Sequence, residues 1–443
     1  MRIQKRKFIQ AILILASFCA FLWVYQWSRH TEVTVLNSLL LSAIVAVCVI
    51  KGIKEKYLIN PFFLFLLCPV SLLLYDISVS TRYLVPLKRE TYFLAIWNFF
   101  LFILGLCTGK KVNFKYSTIW AGLDNKSVKN ECRFATTITL IGLIPTFYGM
   151  IAGLPYLLTF NLRALKEIIN SFPLVYLFNL FSYVGLCCAI KTKKANTIII
   201  NVLLLLIAVM LNFSKTTVVM ACLPIVVLCY DAARVNKKMK KIFVIVLLCT
   251  MVFGYFSFDI YNSIRNDFDI IEHFKNNNAI GNISVSLFLP LMYLITPWSN
   301  LQFIVDTTSS YTYGLWMLRP LITTLQLDFL VGDAYELIPR FVAFNTYSYI
   351  SVFYRDFGFF GSGVCSFFLA LFIMYVYKMK LKFLDSPYVS TVFALNMYAT
   401  SMLFFNNHFQ QQNYPYMILV VTWIVLMLNR IKFVGGRAIK SVK

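Results

Sequence analysis

The chain has 443 residues, 60% of them hydrophobic and only 13% charged, with a formal charge of +23. Soluble domains average about 25% charged and 45–50% apolar residues, so a soluble multidomain enzyme is excluded for want of polar surface. The composition specifies an all-α polytopic membrane protein. Its basic surplus, which in a soluble domain would suggest nucleic acid, has first to be divided between the two sides of the bilayer.

A spanning helix needs roughly 20 mostly apolar residues. Twelve stretches qualify: 8–27, 33–50, 58–75, 92–108, 134–153, 173–190, 196–211, 217–230, 242–258, 357–377, 388–405 and 416–429. The first follows Arg2, Lys5, Arg6 and Lys7 and lacks a small-x-small cleavage site, so it is expected to stay as an anchor. With the N-terminus in the cytoplasm, alternation puts 29 of the 41 Lys and Arg inside, and both termini are cytoplasmic. The excess basicity is then a positive-inside signal, and no nucleic-acid partner is expected. The chain reads as one polytopic membrane domain, 1–443, with a long external loop over 260–356. That loop holds two apolar stretches, 283–305 and 311–331. If only one of them spanned, the basic C-terminal tail would face outside, so either neither spans or both do. The expectation is neither: interfacial or re-entrant helices at the outer leaflet, with fourteen spans as the other solution.

Ten of the 11 Cys fall in predicted spans, Cys132 falls in a cytoplasmic loop, and none is external. No disulfide framework, CxxC metal site or metal is therefore expected, and no cofactor motif is present. The predicted spans carry almost no charge, which argues against an ion-coupled transporter. Polar chemistry gathers instead at the outer rim. Arg265, Arg319, Arg340 and Arg355 lie in and beside the long loop, and Lys215 sits in a tight external turn. Guanidinium forks suit phosphate; the alternative is that each Arg reaches lipid headgroups or pairs with a nearby Asp. The segment 341–360 has 9 aromatics in 20 residues and embeds Asn345, Thr346, Arg355 and Asp356. It suits either sugar stacking or an interfacial aromatic belt. His408, in the polar turn 406–416, and Asp356 are the candidate bases. Asp267-Phe268-Asp269 is a three-residue DxD and a weak metal signal.

Arg340, then Asn345-Thr346-Tyr347-Ser348-Tyr349, Phe353-Tyr354-Arg355-Asp356-Phe357-Gly358 and Gly361 together resemble the Wzy-type family of oligosaccharide repeat-unit polymerases. Asn262-Ser263-Ile264-Arg265 resembles the start of that family's long loop, and the Lys215 turn its short mid-chain polar turn. The resemblance implies polymerisation of undecaprenyl-pyrophosphate-linked oligosaccharides into O-antigen, capsule or another surface polysaccharide, at the outer face of a bacterial plasma membrane. It also implies no metal or nucleotide cofactor; a chain-length regulator is an optional partner beside the membrane lipids. On this reading Lys215, Arg265, Arg319, Arg340 and Arg355 grip or stabilise pyrophosphate. Asn345, Thr346, Tyr347 and Tyr354 orient sugars, and Asp356 or His408 takes the acceptor proton. The rivals are a flippase of the same lipid-linked oligosaccharide and an O-antigen ligase.

The charge split makes a topological prediction. Reporters fused near Gln26, Lys275 and Asn413 should read as external, and those near Lys126, Lys238 and Lys443 as cytoplasmic. A cytoplasmic Lys275 would defeat this arrangement.

Overall fold

The computed structural model describes residues 32–78 (except 56 and 58), 86–116, 128–171 (except 160), 194–211, 285–324 and 346–409 (except 385 and 408), with short stretches between 181 and 248. Every element among the described residues is a helix. In chain order they are α1 (Glu32–Ile53), α2 (Pro61–Phe65), α3 (Leu67–Ser78), α4 (Arg89–Lys111), α5 (Val128–Gly142), α6 (Ile144–Ala152) and α7 (Leu154–Leu158). Then come α8 (Leu162–Ser171), α9 (Ala195–Leu211), α10 (Val285–Thr307), α11 (Leu315–Thr324), α12 (Tyr349–Lys382) and α13 (Pro387–Ser401).

The predicted spans at 33–50, 58–75, 92–108, 134–153, 196–211, 357–377 and 388–405 each fall on one or two of these helices. Those at 8–27, 173–190, 217–230, 242–258 and 416–429 lie wholly or largely outside the described residues. Among the described residues α4 and α12 are long and apolar enough to cross a membrane alone, and the α5–α6 pair qualifies if taken as one span bent by 42°. That bend falls at Leu143, where Pro145 enters the first turn of α6 without an N–H to give. α4 places Glu90 in its first turn and Lys110 and Lys111 in its last, matching the helix dipole, and its 23 residues reach about 34 Å.

The described chain divides into two compact units, one drawn from Met1–Val112, Asp269–Tyr375 and Ala399–Gln410, the other from Asn113–Phe268, Val376–Tyr398 and Gln411–Lys443. In the first unit, Asn60 joins α1 to α2. Its Oδ1 accepts from the Phe62 and Phe63 N–H groups at 3.1 and 3.2 Å, while its Nδ2 donates to the carbonyls of Gly52 and Tyr57. Phe65 stacks on Phe102 at 3.9 Å between ring centroids, and Phe99 meets Trp298 edge to face at 5.8 Å.

Most of the stretch 283–305 falls on α10, which packs along α3 and against α4, and Ile295, Thr296, Trp298, Ser299, Asn300 and Leu301 are all fully buried. Those positions run round the whole helix, which is the signature of an enclosed helix rather than of an interfacial one with a wet face. Polar side chains fasten it. The Trp298 indole donates to Ser71 Oγ at 3.0 Å, and Gln302 Oε1 accepts from both the Lys88 N–H and the Thr91 hydroxyl at 2.7 Å. α11, described over Leu315–Thr324, exposes Leu315, Met317 and Leu318.

α4 and α12 approach closely within the first unit. A Cβ on Gly105 would strike the carbonyl oxygen of Phe367, one on Gly109 would meet the Met374 Cβ at 2.8 Å, and one on Gly363 would meet the Trp97 ring. Small residues spaced by four let helices pack backbone to backbone where no hydrophobic drive separates protein from lipid. Asn98 locks the pair, donating to Ser362 Oγ at 3.0 Å and accepting from Ser366 Oγ at 2.6 Å.

In the second unit, Thr139 of α5 bonds to Asn201 of α9, and Gly149 of α6 and Gly153 at its C-cap admit Ile169 and Leu165 of α8. Lys380 is fully buried there, its Nζ donating to the Leu384 carbonyl and to Ser390 Oγ, each at 2.7 Å.

Gly105→Val should destabilise the protein by about 1–3 kcal/mol, the usual cost of overpacking, because the obstacle is backbone and cannot swing aside. Thermal unfolding in detergent should show a lowered midpoint; an unchanged midpoint would mean that the close α4–α12 contact is not formed.

Candidate functional site

The site is built where α12 is interrupted. Gly358 has φ 68 and ψ −162, a conformation essentially reserved for glycine. It ends the first helical segment of α12 after two turns and leaves carbonyls without helical partners. The chain after α10 supplies the donors: Thr312 N–H bonds to the Arg355 carbonyl at 3.1 Å and Tyr313 N–H to the Asp356 carbonyl at 3.0 Å. There the chain reverses through Tyr313 (φ 50) and Gly314 (φ 96), closed by Leu315 N–H on the Thr312 carbonyl at 3.2 Å, and enters α11. Positive φ at both central residues is what a type I′ turn requires.

Asp356 completes the junction. Its Oδ1 accepts from the Thr312 hydroxyl at 2.5 Å and from the Trp316 N–H at 3.0 Å, and its Oδ2 accepts from the Met317 N–H at 2.9 Å. The carboxylate thus caps the start of α11, where orphan N–H groups and the positive end of the helix dipole both favour an anion. The residue is fully buried. A general base must lie within about 2.6–3.2 Å of the hydroxyl it deprotonates, and here the space around both oxygens is taken by protein. All three hydrogen bonds that the carboxylate accepts come from its own chain.

Arg355 is different. Its side chain is half-buried, Nη1 reaches Thr308 Oγ1 at 3.3 Å, and Nε is buried without a partner. Among the described residues no carboxylate pairs with it. The acid on the adjoining end of α10, Asp306, is held by Lys88 Nζ at 2.7 Å and Gln302 Nε2 at 2.9 Å. Arg319, in α11, is exposed, with its guanidinium carbon 5.3 Å from the centroid of the Trp316 ring.

Tyr354 meets Tyr311 edge to face at 6.1 Å, and the Tyr311 ring lies over Gly358, where a Cβ would come within 2.7 Å of its Cζ. Tyr354 also lines an open, almost wholly apolar groove of about 840 Å³. Leu40 and Val47 of α1 and Phe93, Trp97, Phe100 and Leu104 of α4 form its walls, and Glu90, Val305 and Phe359 join Tyr354 in its lining. Thr346 and Tyr347 precede α12. Thr346 is buried, its carbonyl accepting from Asn300 Nδ2 at 2.7 Å and its hydroxyl 3.4 Å from that of Thr296, so it serves the packing of α10 and is not open to a sugar. Tyr347 is half-buried, and burial pushes its hydroxyl up to about 12, leaving a neutral donor across the physiological range.

Of the expected site residues, the structure therefore brings together Tyr354, Arg355, Asp356 and the α11 helix carrying Arg319. Lys215, Arg265, Arg340, Asn345 and His408 lie outside the described residues, as do Asp267 and Asp269. No group of three His, Cys, Asp or Glu able to hold a metal occurs among the described residues. Sequence reasoning passed over Thr308, Tyr311, Thr312 and Trp316. The only trace of their role is the run of turn-forming residues before Gly314, since their partners are more than 38 positions away.

Gly358→Ala should cost about 1–3 kcal/mol from backbone strain, with the Tyr311 ring displaced as well. Chemical unfolding of the purified protein measures this, and a neutral substitution would mean that α12 runs on unbroken. Compared with protein-family models, with curated proteins and with solved structures, the chain has no match in any of the three.

Proposed function

We propose that this protein is a Wzy-type polymerase of the bacterial plasma membrane, joining oligosaccharide repeat units carried on undecaprenyl pyrophosphate. The observation that carries the reading is Arg355: a partly buried guanidinium without a carboxylate partner among the described residues, next in sequence to a tyrosine that lines an apolar groove. A desolvated charge with no counter-ion is costly, and a ligand anion would relieve that cost. The groove suits a polyprenyl chain, and Arg355 suits the pyrophosphate at its head. In the reaction an acceptor sugar hydroxyl attacks the anomeric carbon of the donor glycan. The bond from that carbon to the pyrophosphate oxygen breaks, the carrier pyrophosphate departs with the electron pair, and the acceptor proton is released. Arg355, with Arg319 on the neighbouring helix, offsets charge as it gathers on the leaving group. The four aromatics Tyr311, Tyr347, Tyr354 and Phe359 offer faces for sugar or isoprene.

Arg355→Ala should lower polymerisation by about 10²–10³, the usual loss for one preorganised donor, with the protein still present in the membrane. Arg355→Lys should rescue poorly, because an ammonium cannot copy the fork. The measurement is the ladder of glycan lengths from cells and from purified protein given undecaprenyl-pyrophosphate-linked repeat units. Cells lacking the protein should retain single repeat units on the final acceptor; loss of those single units as well would indicate a flippase. Normal ladders from both Arg355 variants would leave the guanidinium with lipid headgroups only.

A further inference from the structure

We propose that Asp356 is a positioning residue that sets Arg355 on the leaving group; this rests on the polymerase reading above. Three donors converge on its carboxylate: the Thr312 hydroxyl at 2.5 Å and the N–H groups of Trp316 and Met317 at 3.0 and 2.9 Å. The main chain repeats the link, since the carbonyls of Arg355 and Asp356 accept from the N–H groups of Thr312 and Tyr313. Residues 312–317 are thereby clamped to the end of the first segment of α12.

The clamp reaches the guanidinium by a short route. Thr308 lies four residues before Thr312, and its hydroxyl accepts from Arg355 Nη1 while donating to the Ile304 carbonyl at 2.6 Å. Arg355 is therefore held at both ends by one segment: its own carbonyl by Thr312, its head by Thr308. Release of Asp356 frees the turn and the start of α11. The guanidinium then loses the fixed address that makes it useful in a transition state, where a misplacement of about 1 Å can cost 10²-fold. Arg355 would contact the substrate; Asp356 acts through it.

Thr312 separates this role from that of a base, because its hydroxyl has no part in accepting a proton from the substrate. Purified parent, Asp356→Asn, Thr312→Val and Thr312→Ser proteins are compared with undecaprenyl-pyrophosphate-linked repeat units across pH. Asp356→Asn and Thr312→Val should each lower kcat by about tenfold or more, leave KM within about threefold and keep the shape of the parental pH profile. Thr312→Ser, which retains the hydroxyl, should recover to within about twofold of the parent. Limited chymotrypsin cleavage after the exposed Tyr313 supplies a readout independent of activity, and it should accelerate in Asp356→Asn and Thr312→Val but not in Thr312→Ser.

The proposal is overturned if Asp356→Asn loses a limb of the pH profile while Thr312→Val behaves as the parent, for then the carboxylate is the base. It is equally overturned if cleavage accelerates and kcat does not fall, which makes the clamp structural only. A parent inert toward the carrier-linked units defeats the polymerase reading and the positioning role with it, and the cleavage rates then still decide whether the clamp exists.

Discussion

The reciprocal capping of two helix ends by each other's chain is the constraint on which this site depends. Where α12 breaks at Gly358 it would expose unsatisfied carbonyls, and where α11 begins it would expose unsatisfied N–H groups. The structure answers both needs with one contact. The carbonyls of Arg355 and Asp356 take the N–H groups of Thr312 and Tyr313, and the Asp356 carboxylate takes those of Trp316 and Met317. A buried carboxylate is tolerable because all its donors are present. Glycine at 358 makes the break possible, and the Tyr311 ring occupies the space that any side chain there would need.

Arg355 is the counterpart of that satisfied acid, an incompletely satisfied base one residue away. Its neighbourhood is not short of carboxylates, but Asp306 is bound by Lys88 and Gln302, and Asp356 by its cap. Tyr354 then ties the cation's position in the chain to the apolar groove along α1 and α4. A ligand with an anionic head and a long hydrocarbon tail would be served by both features.

The frame that carries the site is assembled by the means open to helices in lipid. Burial of apolar surface does little to join two helices already surrounded by hydrocarbon, so close backbone approach and hydrogen bonds take its place. Gly105, Gly109 and Gly363 allow the approach of α4 and α12, and Asn98 spans the contact to Ser362 and Ser366. Trp298 to Ser71 and Gln302 to Thr91 do the same for α10. These bonds explain how an uncharged stretch with Thr, Ser, Asn and Gln comes to be enclosed rather than to rest at a membrane surface.

Much of this was legible in the sequence by itself. The excess of apolar residues and the runs at 92–108 and 357–377 give helices long and apolar enough to cross a membrane, because length and hydropathy are local properties. The placing of Lys and Arg determines an expected orientation for the same reason. The motif around Tyr354, Arg355 and Asp356 drew attention to a stretch that the structure joins to the turn before α11, while the broken backbone at Gly358 is visible only in the structure. Tertiary structure decided the rest. That the Asp356 carboxylate caps α11 depends on Thr312, Trp316 and Met317, some forty positions earlier in the chain. That Asp306 is held by Lys88 and Gln302, and that no carboxylate pairs with Arg355 among the described residues, are facts of tertiary packing. That 283–305 is enclosed depends on Ser71 and Thr91, more than two hundred positions away. Each of these is a partnership between distant residues, and hydropathy, periodicity and spacing report only on near ones.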